Sequence, residues 1–227
     1  MGFLKGLFGR SPGDEPGKLG SDGDPIRQML FASQSLKEQV HRMRLNGQPG
    51  SLQSIADAYS LVVSGKKTEA SVVLRSVLTA PQLETRTLLW AWSALRELGE
   101  KPEPKLAFEV LGVVLEIPSG GAYDTLAAYI DGSARYLNFS GKAIFWDAPD
   151  PKVKELCLAM VGLSFDANTK TQPRKNLSLP KGGDQATLLT RSGPFITVEL
   201  APNLLHVGGS LMKELIKRAS APKPAPQ

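Results

Sequence analysis

The constraint that bears hardest on this chain lies between Thr125 and Trp146. Apolar and polar residues alternate over 125–130, 133–139 and 142–146, and Asp131-Gly132 and Ser140-Gly141 separate the runs. A period of two fits a half-buried strand, and Asp-Gly between such runs is the strongest short hairpin signal, because both central positions of a tight two-residue turn need positive φ. The segment therefore predicts a three-strand antiparallel meander. In its middle strand Tyr136 and Asn138 share one face, with Arg135, Leu137 and Phe139 on the other.

The sheet extends on either side. The Val- and Leu-rich stretch Phe108 to Ile117 ends at Pro118-Ser-Gly-Gly121 and reads as a strand from Val113 onward. Gln185–Thr190 and Phe195–Leu200, joined by Arg191-Ser-Gly-Pro194, read as a second hairpin. An amphipathic helix follows each hairpin. The first has Asp150 as N-cap and Pro151 at its first position and buries Val153, Leu156, Cys157, Met160 and Val161. The second starts near Ser210 and buries Leu211, Met212, Leu215, Ile216 and Ala219. Ser140–Pro149 and Ser192–Pro202 also resemble each other, as two ββα units would. The expected fold class is α+β: an N-terminal antiparallel helical bundle, then an antiparallel sheet of about five to six strands with two helices packed on it. Residues 166–184 are polar and unpatterned, a long loop of the kind that is functional or mobile.

Residues 25–105 carry the helical period. Ile26 to Met43 forms one amphipathic stripe, which Asn46-Gly47 can end. Further helices run from Ser51 to Gly65, through Ala70, Val73, Leu74 and Val77 to Ala80-Pro81, and from Leu83 to Leu98. Short connections make such helices antiparallel neighbours. Ala58-Tyr59, Ser64-Gly65-Lys66-Lys67-Thr68-Glu69-Ala70, Leu74, Val77 and Pro81 together resemble one tetratricopeptide unit. That resemblance implies a helix–turn–helix pair. The large residue expected early in its first helix is missing and 83–98 does not repeat the pattern, so the unit reads as an ordinary hairpin, since tandem copies are what build a peptide-binding solenoid. The expected domains are a flexible segment over 1–24, a helical domain over 25–105, an α+β domain over 106–219 and a disordered Pro-rich tail over 220–227.

Little in the chain suits catalysis. One cysteine, Cys157, excludes a disulfide framework and a thiolate-rich metal site, and the two histidines, His41 and His206, leave few ways to build a triad or a zinc site. Cys157 falls on a buried stripe, where a thiol acts as a small hydrophobe. No catalytic, cofactor or metal residues are assigned. Net charge is +5, with Arg27, Lys37, Arg42 and Arg44 against Glu38 over 25–50, and nine basic groups against four acids over 164–227. The basic residues are dispersed and almost half of the aromatics sit in the acidic middle, which argues against nucleic acid.

The expected function is that of a non-catalytic adaptor or accessory protein binding another protein, with Trp90, Trp92, Tyr136 and Trp146 as partner-contact residues. Trp90 and Trp92 point to opposite sides of their helix, one toward core and one toward a boundary. A rival reading recruits the chain to a membrane surface through Phe3, Leu4, Leu7 and Phe8, a stripe at helical spacing flanked by Lys5 and Arg10. A third is an enzyme or anion-binding module using the 166–184 loop and a helix start at Ser210, with His206 just before it. The first residues lack the apolar length and cleavage site of a secretory signal, and with the single thiol this favours a cytoplasmic protein, with membrane association through the N-terminus as the variant.

Overall fold

The computed structural model describes residues 25–32, 34–40, 51–81, 83–165 and 170–220. The chain is a mixed helix-and-sheet protein built on one seven-stranded antiparallel sheet. The strands are β1 (Val110–Ser119), β2 (Ala122–Tyr129), β3 (Ala134–Leu137), β4 (Ala143–Trp146), β5 (Thr171–Pro173), β6 (Gln185–Thr190) and β7 (Gly193–Thr197). Their spatial order is β4-β3-β2-β1-β6-β7-β5. This exceeds the expected five to six strands, because three residues of the supposed loop, Thr171–Pro173, pair with β7 as β5; β1 also begins earlier than expected, at Val110.

The meander forms where alternation placed it, with a different turn. Only Gly132 has positive φ (87°) in the first hairpin, and its N–H bonds to the Tyr129 carbonyl while the Tyr129 N–H bonds to that of Ser133. That is a four-residue turn closed by a glycine bulge, not a two-residue turn needing two positive φ values. Asp131, spared the left-handed conformation, is free to aim its carboxylate.

Two helices cover one face of the sheet, as expected. They are α6 (Pro151–Leu163) and α7 (Pro202–Ala219). Asp150 caps α6, its carboxylate accepting from the Lys152 and Val153 amides at 2.9 and 3.0 Å. Val153, Cys157, Met160, Leu204, Leu211 and Leu215 pack there against Val113, Leu115, Leu126, Ala128 and Leu188. Each fully buried leucine contributes about 1.5–3 kcal/mol. The helix start expected at Ser210 is displaced: α7 begins at Pro202, and the Ser210 hydroxyl donates back to the His206 carbonyl within the helix. Gly208 answers a packing need instead. A Cβ there would sit 2.7 Å from Leu115 Cδ2, so the glycine lets the helix lie close on β1.

The other face meets α1 (Pro25–Leu30) and α4 (Thr85–Glu97); α2 (Ser51–Val63) and α3 (Lys67–Leu78) pack with α4, and the short α5 (Pro104–Ala107) leads into β1. α2, α3 and α4 share a core of Ile55, Ala58, Ala70, Leu74, Ala91 and Leu95. Leu89 of α4, with Leu30, Phe31 and Ala32 at the end of α1, buries against Leu111, Val114, Ala127, Tyr129 and Leu189 of the sheet, so α4 packs on both the helical core and the sheet. A bulge between Val110 and Gly112 turns Leu111 toward this side. The first predicted helix is also broken: α1 ends at Leu30, Ala32 has φ 46°, and helix resumes over 36–40. Turning out of helix lets Phe31 enter the sheet core. The Asn46-Gly47 stop lies outside the described residues.

Asp131 ties the start of α4 to the meander. Asp131 accepts from the Thr85 amide at 2.8 Å and from the Ser133 amide and hydroxyl at 2.9 and 2.7 Å, so the hairpin turn caps a helix from another part of the chain. Burial draws the Asp131 pKa upward, but these hydrogen bonds outweigh it and hold the group below its ordinary value. A carboxylate with a depressed folded-state pKa contributes stability above its unfolded pKa, and that contribution is lost as pH falls through the folded value. Asp131→Ala should therefore cost about 1 kcal/mol at neutral pH, the size typical of a helix cap. In urea titrations the gap between the two proteins should close as the medium is acidified through the carboxylate range. A gap independent of pH would show that the carboxylate is not what matters.

Candidate functional site

A glutamate in the central strand organises the site. Glu116 lies in β1, flanked by β2 and β6, with no exposed side-chain surface. An isolated buried carboxylate is costly, so its position dictates partners. Arg27 on α1 donates Nε to Oε1 at 3.0 Å and adds Nη2 to the same oxygen. Arg174, just past β5, donates Nη1 to Oε2 at 2.7 Å and to the Thr187 hydroxyl at 2.6 Å. The Phe31 ring lies against both guanidiniums, 5.1 Å from that of Arg27 and 4.7 Å from that of Arg174.

The same arginines hold a stretch of backbone. Arg27 Nη1 donates to the Leu177 carbonyl, and Nη2 to that of Ser178 at 3.3 Å. Arg174 binds the carbonyls of Asn176 (3.1 Å) and Ser178 (2.6 Å). Farther along, the Tyr123 hydroxyl donates to the Pro180 carbonyl at 3.1 Å, and Leu177 packs into the core beside Phe31. Residues 174–180 thus form a strap without regular secondary structure, pinned across the sheet by three side chains from α1, β2 and its own start. The loop expected over 166–184 is ordered through its described part, 170–184.

Between the strap and the β6-β7-β5 end of the sheet runs a cleft of about 400 Å³. Gln172, Lys175, Asn176, Lys181, Gln185 and Ile196 are among its lining residues. The lining supplies amide groups and cations, and among the described residues it contains no carboxylate, imidazole or thiol. Gln185 Nε2 reaches back to Glu116 Oε2 at 3.4 Å, linking the cleft wall to the buried cluster.

The residues singled out from the sequence lie elsewhere. Trp90 packs toward the sheet with the Arg86 guanidinium 5.5 Å from its ring, while Trp92 packs into the α2–α4 core, on opposite sides of α4 as their spacing implies. Tyr136 is 6% exposed and faces α6 and α7. Trp146 is partly buried in that same layer, its ring 5.8 Å from the Arg218 guanidinium. The four are not brought together. Phe3, Leu4, Leu7 and Phe8 lie outside the described residues. His206 is exposed on α7.

Cys157 is fully buried, its Sγ 3.6 Å from the Gly132 and Ser133 carbonyls. Burial, the largest influence, pushes the thiol pKa up to about 12. Iodoacetamide at mildly alkaline pH should leave the native chain unlabelled and alkylate it fully in urea. Rapid labelling of folded protein would contradict that burial.

Sequence reasoning passed over Glu116, Arg27 and Arg174. A signal was present, since a glutamate inside the otherwise apolar run Val110–Ile117 has to find a cation once both neighbouring strands form. Among the described residues, no three His, Cys, Asp or Glu gather to hold a metal ion, and no helix is long and apolar enough to cross a membrane. No protein-family model matches this chain, and comparison with curated proteins and with solved structures finds no match to it.

Proposed function

We propose that this protein is a non-catalytic adaptor or accessory protein that binds another protein, and that the cleft under the 174–180 strap is its contact site. The carrying observation is the investment around that cleft. Three buried charged side chains and a tyrosine hydroxyl hold an irregular backbone segment at a fixed height over the sheet. A wall fixed before binding spares the partner the entropy of ordering it. The lining offers hydrogen-bonding amides and lysine ammonium groups, the chemistry of recognition more than of proton transfer.

A photo-crosslinking amino acid at position 175, in the full chain expressed in its native cells, tests the reading. Illumination should give one discrete adduct containing a second polypeptide, absent when the probe replaces Lys67 on α3. Equal yields from both positions, or none from 175, would remove the support for this site.

A further inference from the structure

We propose that the segment received by the cleft is acidic, an extended stretch of the partner rich in Asp and Glu. This rests on the preceding reading of the cleft as a protein-binding site and names the chemistry it selects. Over residues 170–184 the chain carries Lys170, Arg174, Lys175 and Lys181 against Asp184 alone. The three lysines are exposed, and Lys175 and Lys181 line the cleft. Two cations beside a concave, partly shielded surface raise the local concentration of anionic groups.

The disposition of the cations favours carboxylates over phosphate. Among the described residues Arg174 is the one guanidinium in the lining, and all three of its nitrogens donate to Glu116, Thr187 and the strap carbonyls. A planar fork free to grip a phosphate is therefore not on offer, and neither is a helix N-terminus, since 174–180 is irregular. What faces the opening is a pair of lysine point charges on flexible stems, with the side-chain amide of Gln172 beside them. Such a lining satisfies several spaced carboxylates and the carbonyls between them. Among the described residues it includes no aromatic ring on which a base could stack, which separates it from a single-stranded nucleic-acid groove.

The probe is a fluorescein-labelled octaglutamate peptide, followed by anisotropy with the full chain, against octalysine and a Gly-Ser peptide of equal length. Octaglutamate should bind at low salt and weaken as salt rises, while the other two stay free. Lys175→Glu with Lys181→Glu should reduce binding about tenfold or more, as reversing charges at an electrostatically matched site does. Both positions are exposed, so the thermal melting temperature should stay within a degree or two. Lys67→Glu with Lys213→Glu, the same charge change at other exposed positions, should leave binding intact.

Failure of octaglutamate to bind, or binding insensitive to the cleft reversal, overturns the proposal. So does binding of inorganic phosphate or of a short single-stranded oligonucleotide with the same lysine dependence while the peptide stays free. The two readings fail separately: a crosslinked partner at 175 that survives Lys181→Glu and high salt keeps the adaptor reading and removes the acidic segment, whereas loss of both adduct and peptide binding removes both.

Discussion

Replacing Glu116 with glutamine should destabilise the full chain by about 3–5 kcal/mol, the range measured when one partner of a buried ion pair is removed. The side chain keeps its size but loses its charge and one of its two acceptor oxygens, and the NH2 that replaces that oxygen faces an arginine donor. Arg27 and Arg174 have 0% and 2% of their side-chain surface exposed and share this carboxylate. Without it they remain buried as two like charges beside the Phe31 ring. The strap carbonyls offset part of that cost as dipoles, which is why folding should be weakened and not abolished. Equilibrium urea unfolding measures it, with Glu69→Gln on the exposed face of α3 as a control expected to move stability by less than about 0.5 kcal/mol. A change at Glu116 no larger than that of an exposed pair, about 1 kcal/mol or less, would mean that water reaches the cluster. Strap opening should accompany the loss, read as faster amide exchange at residues 176–179 than in the parent chain.

The second large effect belongs to the contact between α7 and β1. Leu115→Ala should cost about 2–5 kcal/mol, because the side chain is wholly buried and its removal leaves a cavity between two layers that cannot collapse freely. Gly208→Ala on the intact background meets Leu115 Cδ2 at 2.7 Å and should cost about 1–3 kcal/mol, less whatever the better helix former returns. Combined, the two should not add. Space vacated by Leu115 accepts the new methyl group, and Gly208→Ala should then be neutral or stabilising. That reversal of sign is the diagnostic, read from urea midpoints of the four proteins in the cycle. Additive losses would mean that the glycine is needed for something other than proximity to Leu115.

Legibility in the sequence tracked how local each determinant is. The meander, the second hairpin and the Asp150-Pro151 helix start were readable because period-two alternation, turn glycines and caps act within a few residues. Errors arose where distant packing prevailed. Ile26 to Met43 has helical spacing throughout, yet Phe31 gains more against Leu189 and the sheet than on a helix surface, so the chain turns at Ala32. A helix start near Ser210 is what the local sequence suggests, but the helix begins at Pro202 and Gly208 lies inside it, where the missing side chain clears Leu115. β5 was hidden because Thr171–Pro173 is short and fully exposed, with only β7 beside it. Its proline removes a donor from the outer edge and discourages further strand addition. The candidate site was scarcely legible, since Arg27, Glu116 and Arg174 come together only after the sheet has formed. Conversely Trp90, Trp92, Tyr136 and Trp146 attracted notice by residue type, and packing accounts for their placement.

The arginine clamp also fixes an order of events during synthesis. Arg27 meets Glu116 across 89 positions and the Leu177 carbonyl across 150. A ribosome delivers α1 long before either acceptor exists, so α1 has to wait, its guanidinium hydrated, until residue 178 has emerged. Closing so wide a loop comes late and slowly, as in other topologies dominated by remote contacts. Truncated products ending before residue 174 would retain Glu116 and Arg27 but neither the second arginine nor the carbonyls, and such fragments should be prime targets for proteolysis.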